Sequence, residues 1–402
     1  MSNAIDHRRH TRALFVAALL VCVVGAKPAL SAECVPVGAW AVPGAASAKP
    51  IAVAELLPRL ARQSVVLLGE SHDSAEDHRW QLQTVAALHA MRPQMALAFE
   101  AFPRRLQPVL DRWVAGEYTE AEFLKAADWA RVWNFDPQLY LPLFNFARMN
   151  RVPMVAMNVE ITLIRAVGAK GLAGVPPETR EGVSPPAAPT NAYLDDLLKI
   201  YGEHQPGGSP HKEKPADRND PAFRRFVESQ QVWDRAMAQA IAQAASRPGA
   251  PLVVGILGKG HVEEGYGVAH QLADLGVKNV SSLVPWRANN DCKSLTAGYA
   301  DAVFGVAAKN EEAAPARPRL GVSFDTAGKE LRVTSVEKGS IAETAGIKEG
   351  DVLLEAAGGA LKDFAELRGA VQRQAPGTWL PLKIRRQNET LELIAKFPPA
   401  KS

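Results

Sequence analysis

Cysteine is scarce in this chain: 3 occur in 402 residues, too few for a small scaffold stapled by disulfides. An excess of either charge is lacking as well. Lys and Arg outnumber Asp and Glu by only 3, and no basic run is interleaved with aromatics, which excludes a dedicated nucleic-acid surface. No G-x-S-x-G stretch occurs, so the nucleophile elbow of serine hydrolases is missing. The apolar run at residues 13–26 is too short for a membrane helix; after the basic residues 7–12 it reads as an export signal. Ala26 and Ala32 offer cleavage points, and Ala32 is preferred although Leu30 is large for its place. Glu33 in front of Cys34 spoils a lipobox, so the expected destination is the periplasm, with association with the outer membrane left open.

What is present suits a globular protein of two or three domains, with 47% hydrophobic and 22% charged residues. Cys22 departs with the signal, leaving Cys34 and Cys292. In an oxidising compartment this even pair predicts a disulfide, the alternative being two unpaired buried thiols.

Five apolar runs, at residues 65–68, 95–99, 152–157, 252–257 and 277–284, have the unbroken character of strands buried on both faces. Helical text separates them, as at residues 136–150 and 222–245, where Phe226, Gln230, Trp233 and Met237 recur at helical spacing. The alternation predicts a three-layer α/β domain over residues 33–304 with a mostly parallel sheet. A Pro- and Gly-rich stretch at 168–221 reads as a flexible insertion carrying one helix, at 192–203. A linker at 305–318 leads to a small β-rich domain at 319–398.

Ligands of parallel α/β sheets bind beyond the carboxyl ends of the strands. Polar residues gather there: Glu70 and His72 after the first run, Glu100 after the second, Asn158 after the third and His261 after the fourth. Glu and neutral His serve equally as zinc ligands and as a general base and acid, so Glu70, His72, Glu100 and His261 form a candidate catalytic or divalent-metal set. His78 stands on a helix face with Leu82 and Val85, open to a core or a ligand role. His204 and His211 read as solvated insertion residues.

The stretch from Val66 to His72 with His78 and Gln81, then Ala98-Phe99-Glu100, Val155 to Asn158 and Gly258-Lys259-Gly260-His261, resembles the ChaN family of haem-binding uptake proteins. That family shares a wider group with Tiki metalloproteases and erythromycin esterases. The resemblance implies an exported haem-binding protein of iron uptake, with haem held as a stacked pair in a homodimer. It implies a tyrosine iron ligand too, for which Tyr140, Tyr193, Tyr201 and Tyr266 are the candidates, and places Glu70, His72, His78, Glu100, Asn158 and His261 around the cofactor. Leu320-Gly321-Val322, Ser340 to Ile347 and Gly350 to Leu353 are similar to PDZ domains of bacterial periplasmic proteases. This second resemblance implies capture of a peptide's terminal carboxylate by Leu320, Gly321, Val322 and Ser323, with Leu367 and Val371 bordering the groove. The alternatives are a PDZ-mediated scaffold without catalysis, and a Glu/His hydrolase of an ester or peptide.

Overall fold

The computed structural model describes residues 34–45, 47–203, 217–308, 319–324 and 330–399. The expected export signal, Cys22, His204, His211 and most of the linker lie outside the described residues.

Eight strands build the first sheet: β1 (Trp40–Val42), β2 (Lys49–Pro50), β3 (Val65–Glu70), β4 (Met95–Pro103), β5 (Met154–Asn158), β6 (Leu252–Gly258), β7 (Val280–Arg287) and β8 (Ala302–Val306). Their order is β2-β1-β8-β7-β3-β6-β4-β5, parallel from β8 to β5, with β1 and β2 antiparallel at one edge. Every residue of β3 and β6 is buried, as an apolar run covered on both faces requires. Val66 and Leu68 join a core with Trp80, Phe99 and Phe144, whereas Val65 and Leu67 point the other way, toward Met237, Ile241 and Leu272. That alternation makes the domain three layers deep.

Ten helices accompany the sheet among the described residues: α1 (Val53–Leu60), α2 (Ala75–Met91), α3 (Gln107–Ala115), α4 (Glu120–Ala126), α5 (Trp129–Val132), α6 (Pro137–Met149), α7 (Ile161–Lys170), α8 (Asn191–Glu203), α9 (Pro221–Ala245) and α10 (Val268–Asp274). Of the four α9 residues at helical spacing, Met237 is buried in the core and the other three are not. Phe226, Gln230 and Trp233 are only half-buried, and Val227, Asp234, Ala238 and Ile241 lie innermost.

Three strands beyond the five expected appear, β1, β2 and β8. Each is short, and β8 carries Gly305 because an added Cβ would lie 2.0 Å from the Pro36 carbonyl oxygen. Residues 171–190 of the expected insertion are pinned, contrary to the flexible segment expected, while residues 204–216 lie outside the described residues. Leu172 N–H donates to Glu228 at 2.7 Å, Arg104 donates to the Glu181 carbonyl at 2.9 Å, and Gln231 donates to the Ala187 carbonyl at 2.7 Å. Two short 3-10 turns, Leu172–Gly174 and Pro177–Thr179, satisfy part of this backbone internally, and long side chains of the neighbouring elements satisfy groups they leave over.

The second sheet comprises β9 (Val322–Phe324), β10 (Leu331–Val336), β11 (Val352–Ala356), β12 (Gly359–Ala360), β13 (Trp379–Arg386) and β14 (Glu389–Lys396), all antiparallel in the order β14-β13-β11-β10-β9, with β12 on β11. Helices α11 (Ile341–Thr344) and α12 (Phe364–Gln372) complete a unit whose own core contains Leu320, Val333, Leu353, Leu367 and Ile384. Asp351, fully buried, is held by Arg386 through bonds of 2.8 and 2.7 Å.

Candidate functional site

Parallel register brings distant residues to one rim. Glu70 ends β3 directly across from Gly258, and β4 carries Glu100 into an irregular stretch before Pro103 meets Asn158. The turn after β3 is fixed from below. Ser71 N–H donates to buried Asp77 at 2.9 Å, and Asp77 in turn receives Ser74 Oγ at 2.7 Å and Arg287 at 2.6 Å. His72 therefore leaves the strand in one direction.

Glu70 is buried and ionised. Burial pushes its carboxyl upward, but the His72 hydrogen bond, the charges of His78 and His72 and the Tyr140 hydroxyl outweigh this and hold it below the usual range. His72 Nδ1 lies 2.8 Å from Oε1, and Tyr140 donates to the same oxygen at 2.5 Å. Because a carboxylate only accepts, Nδ1 of His72 carries the proton. His78 faces Oε2 at 3.3 Å and reaches the His72 carbonyl through Nε2 at 3.2 Å. Trp133 and Phe135 flank the His72 ring at 4.7 and 5.1 Å between centroids.

A second arm mirrors the first. His261 Nδ1 lies 2.6 Å from Asp234 on α9, and Tyr193 donates to the other Asp234 oxygen at 2.8 Å. Glu100 sits between the arms, accepting Gly258 N–H at 2.7 Å and facing His261 Nε2 at 3.6 Å. Asn158 donates to the Glu100 carbonyl at 2.8 Å, so it holds the strand end. Asp234 escaped the sequence reading, although it interrupts the apolar stripe of Val227, Ala238 and Ile241.

Above this floor lies a cleft of about 440 Å³, within the range of small-molecule sites. His72 and Glu100 line its base, Trp133, Phe135 and Trp233 its walls, and Arg105, Arg131 and Arg165 its rim. His78, His261 and Glu70 stand behind the lining. None of Tyr140, Tyr193, Tyr201 or Tyr266 is among the residues lining it. The hydroxyls of buried Tyr140 and Tyr193 are committed to carboxylates, and burial with that negative charge raises both phenols far above the ordinary value. Tyr201 packs on Phe223 and Phe226, with ring centroids 5.5 Å away in each case. Tyr266 lies 6.0 Å from the Tyr193 ring. Among the described residues no group of three or more His, Cys, Asp or Glu side chains is disposed to hold a metal ion, so the zinc alternative lacks support.

In the small unit, Leu320, Gly321, Val322, Ser323, Leu367 and Val371 line one groove of about 680 Å³, together with Arg319, Phe324, Phe364 and Arg368. Gly321 is required there: its φ is +82°, and an added Cβ would approach the Ser340 Cβ to 2.3 Å. At the other end of the chain, Cys34 and Cys292 are joined in a disulfide with a Cα–Cα distance of 5.6 Å.

The model of the haem-binding uptake family, Tiki superfamily, ChaN, matches residues 56–272, and a PDZ-domain model matches residues 318–396. RETICULATA-RELATED 5, a chloroplastic protein of Arabidopsis thaliana, is 27% identical over 217 residues, which are 52% of this chain and 28% of that one. A probable periplasmic DegP-like serine endoprotease of Chlamydia trachomatis is 41% identical over 61 residues, 15% of this chain and 12% of that protein. The chain thus spans less than a third of either curated relative. The solved structure described as cofacial haem binding to ChaN of Campylobacter jejuni superposes with a TM-score of 0.51 at 19% identity, covering 67% of this chain and 98% of that one, a likeness of fold. On the match of its α/β domain, this chain belongs to the ChaN family of haem-binding uptake proteins in the Tiki superfamily, and a PDZ domain follows that domain in its sequence.

Proposed function

We propose that this chain is an exported haem-binding protein of haem or iron uptake whose PDZ domain captures the carboxyl terminus of a peptide or protein partner. The observation that carries the reading is the cleft at the strand ends. Its lining has the indole and phenyl groups of Trp133, Trp233 and Phe135 to pack on a porphyrin, Arg165 for a propionate beside Arg105 and Arg131, which pair with Glu160 and Asp128, and an imidazole. The family of the α/β domain and the haem described for the Campylobacter relative support it.

Bound haem supplies an iron centre to be carried; the protein's part is to hold the ring, screen it from water and place a ligand. Titrating the full chain with ferric haem should give a saturable Soret band. Free-haem absorbance at every ratio would overturn the reading. Cell fractionation tests export, the expected outcome being recovery outside the cytoplasm.

A second reading, metal-free hydrolysis of an ester or peptide, draws on the arrangement around Glu100. A carboxylate that can accept a proton from water lies between two imidazoles, each backed by its own carboxylate. Ester turnover lost in Glu100→Gln would favour it, and equal turnover in that variant would remove it.

A further inference from the structure

We infer that the groove of the PDZ domain selects its ligand by two residues, an apolar last residue and an aromatic third-from-last one, and that Phe364 reads the second; this rests on the reading of that domain as a binder of carboxyl termini. Three observations carry the inference. First, the groove offers the backbone of an edge strand. β9 ends the order β14-β13-β11-β10-β9, so among the described residues its outer edge has no strand partner and an extended peptide can add there. Arg319 and Arg368 outnumber Glu337 in the lining, which suits a terminal carboxylate at the Gly321 turn.

Second, the apolar lining falls into two places. Along β9 the exposed Ser323 separates Val322 and Phe324, which turn inward against the core of the domain. Along α12, Phe364, Leu367 and Val371 share one face. Phe324 and Phe364 meet, with ring centroids 5.7 Å apart, whereas Leu320, Val322, Leu367 and Val371 gather beside the Gly321 turn. Leu367 and Val371 lie about 4.5 and 10.5 Å beyond Phe364 along the helix. Side chains on one face of an extended peptide recur about every 6.8 Å, so alternate residues reach both places. A carboxylate at the turn then puts the last residue among the aliphatic side chains and the third-from-last at the phenyl pair.

Third, Phe364 is 51% exposed although its backbone is fixed. Asp363 caps α12 by accepting Glu366 N–H at 2.9 Å, and Glu366 accepts Lys362 N–H at 2.7 Å. A rigid helix start thus presents an apolar ring to water at the mouth of a groove. The two phenyls are tilted by 60°, leaving faces and edges on which a third ring packs edge-to-face. A hydroxyl set there would lose water and gain no acceptor from either ring.

The test measures fluorescence anisotropy of labelled decapeptides on the full chain. The series crosses Phe, Ala and Thr at the third-from-last position with Val, Leu and Phe at the last, each peptide made with a free and with an amidated carboxyl end. Phe at the third-from-last position should bind about 10-fold more tightly than Ala or Thr, the scale of partly burying one phenyl side chain. Amidation should abolish binding. Phe364→Ala should erase the preference for Phe while binding the Ala peptides as the wild type does, which shows the variant to be folded. Phe364→Leu, which keeps an apolar helix start, should lower the same preference. Saturable binding of the free acids with equal affinity whatever the third-from-last residue, or a preference that survives in Phe364→Ala, would overturn the inference alone. Saturable binding of no free acid, or equal binding of the amides, would overturn it together with the reading of the domain as a binder of carboxyl termini.

Discussion

Asp234 is fully buried and serves two partners, His261 and Tyr193. Asp234→Ala leaves a buried imidazole and a buried phenol without their acceptor, and should cost about 3–5 kcal/mol in urea unfolding. The same contact sets a pH dependence. Burial opposes the charge on His261, but Asp234 by charge and hydrogen bond, and Glu100 by charge, raise it from 6.5 to about 9. A folded value above the unfolded one means that folding takes up a proton. The resulting stability is complete below about pH 6.5 and is lost as pH rises through about 9, up to roughly 3 kcal/mol in all. Unfolding free energy measured from pH 6 to 10 should fall over that window, and His261→Gln should flatten the slope. At this scale the sequence was most informative where a polar residue ended an apolar run: Glu70, Glu100, Asn158 and His261 all reach the rim. Asp234 was hidden because it sits in mid-helix, where a carboxylate between Trp233 and Arg235 looks like an ordinary solvated face.

Arg287 ends β7 and bonds both Ser74 and Asp77, the residues that shape the turn carrying His72. Arg287→Met should destabilise the protein by about 3 kcal/mol, and hydrogen exchange should show the Ser71 amide opening faster than in the wild type. In the PDZ unit, Gly321→Ala meets both an adverse φ and the Ser340 side chain, so peptide binding measured by fluorescence anisotropy should be lost. The central parallel strands were readable because continuous burial on two faces writes an unbroken apolar run. β1 and β2 were not, being 3 and 2 residues long, and β8 was not because Gly305 breaks its apolar run. Three residues carry too little pattern to distinguish a strand from a loop. The pinned stretch after α7 was misread for a different reason: composition reports only what a segment does by itself, and side chains that fix it come from elsewhere in the chain, Arg104 before it and α9 and α10 after it.

The two sheets have separate cores that share no residue. Removing residues 319–399 should therefore leave the Soret titration of the remaining protein unchanged, which a side-by-side titration checks. The disulfide acts on a larger span, since Cys34 and Cys292 are separated by 258 positions. In the chain-entropy model a loop of that size contributes about 5 kcal/mol, so reduction should lower the midpoint of thermal unfolding markedly. Its covalent closure has a further consequence for survival among proteases. One cut anywhere between Cys34 and Cys292 opens the ring without releasing a piece: the nicked protein migrates as a single band until a reductant is added, and only then as two.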